Sequence, residues 1–77
     1  MPRLRPLKPK LLIKVLAKFG FMPVRQKGSH LVLRNSSGKG TVVPMHGNEE
    51  IDVSLLRSIL RECEISLEDF LKQAERK

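Results

Sequence analysis

Apolar positions recur along this chain in two rhythms, and the changes between them divide it into elements. Leu11, Leu12, Val15, Leu16 and Phe19 recur at helical spacing, while Lys10, Lys14 and Lys18 recur every four residues on the opposite side. This spacing predicts an amphipathic helix with a basic outer face. Pro9 suits its first turn, where the missing N–H costs nothing. Gly20 suits a left-handed cap at its end, with Phe21 packing back on the last turn. From residue 21 the rhythm shortens to alternation. Residues 21–27 and 29–34 read as two strands around a Lys27-Gly28 turn, since Gly accepts a positive φ without steric cost. Pro23 lacks a donor, so the first strand is an edge or begins late. The polar stretch 35–40 is too long for a tight hairpin and reads as a mobile loop. Residues 41–44 form a short third strand, and connections this short predict an antiparallel meander.

Helical spacing returns at Leu55, Leu56, Ile59, Leu60 and Cys63. Either Asp52 or Ser54 can cap this second helix. Ser66 can cap a short third one, with Asp69 in the capping-box position, Glu68 favourable to the helix dipole, and Phe70, Leu71 and Ala74 as its apolar residues. The resulting class is α+β, in the order α-β-β-β-α, with a three-stranded antiparallel sheet packed on two helices plus a short C-terminal helix. Residues 1–8, with two prolines and three cations, read as a basic irregular arm; residues 9–77 make a single domain.

Charge narrows the choice of partner. The net charge is +7, and residues 1–48 hold ten Lys or Arg and no Asp or Glu. A basic first half of this kind points to a polyanion such as nucleic acid, against the blander reading of a solvated face that only aids solubility. Three Phe and no Trp or Tyr are too few to stack splayed single-stranded bases. The single cysteine, Cys63, excludes an intramolecular disulfide and a Cys-based zinc site, and its place in the apolar stripe reads as core. A reducing, cytoplasmic setting fits. The apolar run 11–21 is broken by Lys14 and Lys18, too short and too charged for a signal peptide or a membrane span. Two histidines, with every acid in the later half, give no recognisable metal-ligand spacing, and no cofactor is expected.

The chemistry concentrates around residues 24–34. By the period of two, Arg25 and Lys27 share a strand face, as do His30, Val32 and Arg34. Leu31 and Leu33 then turn inward. His30 turns outward beside two cations, on an edge that meets solvent. On pattern alone it reads equally well as a phosphate-chemistry site or as a polar strand residue without function.

Three blocks in order carry a more specific signal: Phe21 to His30 with its Val-Arg-Gln-Lys-Gly-Ser-His core, then Val43-Pro44-Met45-His46, then Leu55-Leu56-Arg57-Ser58-Ile59-Leu60. Together they resemble the HicA family of toxins from prokaryotic toxin–antitoxin pairs, from about Leu11 to Ile65. The arm and most of the last helix lie outside the match. The resemblance implies a fold similar to the double-stranded RNA-binding domain, an endoribonuclease acting on mRNA, inhibition by a HicB antitoxin, and a catalytic histidine at His30.

RNA carries its own nucleophile, the 2′-hydroxyl. A metal-independent ribonuclease must take that proton, stabilise the phosphorane and protonate the leaving 5′-oxygen. Histidine suits the proton steps and Arg or Lys the charge step. His30 is accordingly the candidate general base or acid. Arg25, Lys27 and Arg34 are candidates for phosphate binding, with Ser29 a further hydrogen-bond donor and Lys10, Lys14 and Lys18 a salt-dependent phosphate track. His46 either supplies the second proton step, if the third strand brings it near, or ties the 45–48 loop by a hydrogen bond. The competing functions are a non-catalytic module that grips duplex RNA by shape, which the basic first helix suits, and an adaptor whose sheet edge pairs with another protein.

Overall fold

A computed structural model of the chain describes residues 3–47 and 49–75; the first two residues of the basic arm, Asn48 of the 45–48 loop and the last two residues lie outside this set. The elements are α1 (Pro9–Lys18), β1 (Met22–Lys27), β2 (His30–Arg34), β3 (Gly40–Pro44), α2 (Val53–Cys63) and α3 (Leu67–Glu75). The strands lie in the order β1-β2-β3, both pairs antiparallel, which is the expected meander. Helix α1 lies against β1 and β3, α2 against β3, and α3 leans on both other helices. This is the α+β architecture expected from the spacing, in keeping with a double-stranded RNA-binding-domain-like fold. Among the described residues, no helix is long and apolar enough to cross a membrane.

The ends of the elements follow from side-chain and backbone chemistry. Pro9 occupies the first turn of α1. At its other end Gly20 is left-handed (φ 90°), its N–H donates to Ala17 O, and Phe21 N–H donates to Leu16 O. That pair of hydrogen bonds closes the last turn and directs Phe21 into the core at 2% exposure. Asp52, not Ser54, caps α2, its carboxylate accepting from Leu55 N–H at 2.8 Å. Ser66 Oγ accepts from Asp69 N–H at 3.1 Å at the start of α3.

The core lies between the sheet and the helices and centres on Leu12, Leu16, Leu33, Val43, Leu56 and Phe70, all fully buried. Two expectations from helical spacing are corrected. Leu11 is 42% exposed and Leu55 37% exposed. Neighbours on a helix point about 100° apart, and the small sheet covers a strip only wide enough for Leu12 and Leu56. A buried polar residue, Thr41, donates from Oγ1 to Glu62 Oε1 at 2.5 Å, which ties β3 to α2. The arm also engages the domain. Leu7 and Ile51 exchange backbone hydrogen bonds of 3.1 and 2.6 Å, and Leu4 and Leu7 pack against the core. Asn35 organises the loop read as mobile: its carboxamide accepts from Ser37 and Lys39 N–H, and its own N–H donates to Lys39 O at 2.8 Å.

Candidate nucleic-acid interface

Strand pairing decides which side chains stand together. Lys27 lies directly across from His30, and Arg25 across from Val32. On the other side of β2, Pro44 lies across from His30 and Val42 from Val32. Residues directly opposite on antiparallel strands share a face. The face turned away from the helices therefore carries Arg25, Lys27, His30, Val32, Arg34 and Val42, with no carboxylate on any strand. A bulge between Pro23 and Arg25 sets aside Val24, which is 57% exposed, and preserves the shared face of Arg25 and Lys27. Pro23 thus falls on an edge strand beside the irregularity that accommodates it.

The hairpin that presents His30 is a two-residue turn. Gly28 takes φ 55° and Ser29 an ordinary negative φ, a combination that matches the right-handed twist of the flanking strands. Gln26 Nε2 donates to Gly28 O at 3.2 Å, bracing the turn from inside the same hairpin. Sequence reading assigned no role to this glutamine; its position two residues before a turn glycine is the signal that was available. His30 begins β2, which is the central strand and not an edge. It meets solvent through the uncovered face of the sheet and through its position at the strand's end.

The remaining candidates are dispersed. Arg34 shares the face but stands four residues along β2, about 13 Å away at roughly 3.3 Å per residue. Its guanidinium donates to Gly38 O at 3.4 Å. Ser29 is half-buried in the turn, and its carbonyl accepts from Met45 N–H. Lys10, Lys14 and Lys18 are exposed on α1, opposite the stripe of Leu12, Val15 and Leu16 that faces the sheet. They point away from the sheet, so they form a second basic surface separate from the His30 face. Lys18 Nζ also donates to Gln73 O at 3.5 Å.

His46 does approach His30. The two ring centroids are 6.1 Å apart, with planes at 84°. The 45–48 loop is tied by the His46 carbonyl, which accepts from Glu49 N–H at 3.0 Å, and not by the imidazole. Cys63 is 4% exposed, and its thiol is pushed up to about 11, first by burial and then by the neighbouring Glu62 carboxylate. It is a core residue and no nucleophile at neutral pH. Among the described residues no three His, Cys, Asp or Glu side chains are grouped to hold a metal ion.

Comparison with known proteins bears on the family of the chain. No curated protein matches the chain. A family profile described as the HicA toxin of bacterial toxin–antitoxin matches residues 10–65, a span from the second residue of α1 to just beyond α2 that includes the whole sheet. That span covers most of the 77 residues, and the chain belongs to the HicA family of bacterial toxin–antitoxin toxins.

Proposed function

We propose that this chain is a metal-independent endoribonuclease that cleaves mRNA with His30 as its catalytic histidine. The observation that carries the reading is the register placing Lys27 directly across from His30, on a sheet face without carboxylates. A phosphodiester drawn to Lys27 and Arg25 brings a ribose 2′-hydroxyl within reach of an exposed imidazole. Imidazole accepts or donates a proton near neutrality, and fixed cations stabilise charge that develops on the phosphorane. The RNA's own 2′-hydroxyl and the protein's imidazole and cations supply every group this reaction needs, so the proposed mechanism requires no metal ion. The partner consistent with this face is a HicB-like antitoxin that covers it. Met22, Val24 and Val42, exposed among the cations, offer the apolar contact such a partner needs.

The lysine stripe of α1 favours a second reading, a module that grips duplex RNA by shape without cutting it. RNA decay with purified protein in excess chelator separates the two. Cleavage that persists in chelator fits the ribonuclease. Cleavage lost in chelator and restored by a divalent ion contradicts the metal-free mechanism. Salt-dependent binding with intact RNA selects the non-catalytic module.

A further inference from the structure

The outer face of the sheet continues past Pro44. Met45 N–H donates to Ser29 O at 2.5 Å, so backbone pairing persists one step beyond β3. Side chains of an extended chain alternate, which returns His46 to the side of Pro44, and Pro44 lies across from His30. Gly47 then turns the chain at φ 58°, with Glu49 N–H on the His46 carbonyl. The chain's only two imidazoles are thereby held edge to face at 6.1 Å. Both are exposed, and among the described residues no hydrogen bond occupies either ring. At this separation a phosphodiester lying beside both rings can take one hydrogen bond of about 2.8 Å from each, the two bonds converging on it.

We propose that His46 is the general acid of this site, protonating the leaving 5′-oxygen, while His30 is the base that takes the 2′-proton. This rests on the ribonuclease reading above. The two rings come from different strands: Lys27 on β1 lies across from His30, whereas His46 extends β3 on the far side of β2. In the step itself the 2′-O–H proton passes to the His30 imidazole. The freed oxygen pair forms the O2′–P bond. The P–O5′ bond breaks with its electron pair on O5′, and that oxygen takes the proton from the His46 imidazolium. The products are a 2′,3′-cyclic phosphate and a 5′-hydroxyl. His30 ends with one proton more and His46 with one fewer, and exchange with water resets both.

The test compares two RNA substrates of identical sequence, one ordinary and one with sulfur replacing the bridging 5′-oxygen, whose thiolate leaves without a proton. The full chain and its His30→Ala, His46→Ala and His46→Gln variants are compared, with thermal melts to establish that each is folded. Both His46 variants should lose about 100-fold or more on ordinary RNA, the usual contribution of a general acid. They should cut the sulfur substrate within a few-fold of the parent. His30→Ala should be slow on both. A folded His46 variant that cuts ordinary RNA at the parent rate, or is equally slow on both substrates, overturns the acid role while leaving the ribonuclease reading intact. A parent chain that cuts neither substrate overturns the ribonuclease reading and this inference with it.

Discussion

Along β2 and β3 the side chains turned toward the helices and those turned away meet opposite fates. Leu33, Val43 and Thr41 are sealed, while His30, Arg34 and Val42 are exposed. The two sets alternate within the same ten residues, so the stretch of chain is shared and the face divides them. The covered face supplies the apolar burial that offsets the entropy of ordering a chain of 77 residues. The open face has no such duty. Changing a side chain there removes few contacts, and the face is free to hold cations and imidazoles that a core would exclude. Stability and the proposed chemistry are thus separated by a period of two.

The comparison is broken most forcefully from the covered side. Phe70 is fully buried on α3, the helix that packs on α1 and α2. Phe70→Ala should cost about 3–5 kcal/mol, as large-to-small core changes do. That is a large share of the roughly 5–15 kcal/mol available to a small domain. Urea unfolding should show a midpoint shifted far down or no folded baseline. A cost below about 1 kcal/mol would mean that α3 is not part of the core.

A smaller effect sharpens the same contrast. The Cys63 thiol is raised from 9.0 to about 11 by burial and by Glu62. The folded state therefore holds this proton more tightly than the unfolded state. Its contribution to stability is fully present below pH 9.0 and is lost as pH rises through about 11. Denaturant midpoints followed across that window should fall in the parent and fall less in Cys63→Ala, after subtraction of the mutant's constant offset. Equal slopes would place the thiol in solvent.

Much of this arrangement was legible in the sequence, and the exceptions share a cause. Local chemistry was readable wherever one residue settles one backbone bond: Pro9 at a helix start, Gly20 with Phe21 at its end, Gly28 in the hairpin, Ser66 as a cap. The parity of β2 was readable because Leu31 and Leu33 sort themselves from His30 and Arg34. Quantities set by tertiary geometry were not. Leu11 and Leu55 look as apolar as their neighbours, and only the width of the sheet excludes them. The central place of β2 depends on both hairpins together. The approach of His46 to His30 depends on the β2–β3 register, which the length of the Asn35 loop leaves open until its hydrogen bonds are known. Thr41 meeting Glu62 and Leu7 pairing with Ile51 join residues far apart in sequence, where no local pattern operates.

The most direct test of the separation is His30→Ala, measured for stability and for RNA cleavage on the same preparation. His30 is exposed at the end of β2, so unfolding free energy should change by no more than about 0.5 kcal/mol. Cleavage should fall by roughly two orders of magnitude or more. A stable variant with unchanged cleavage, or a variant that loses activity only because it unfolds, would contradict the account.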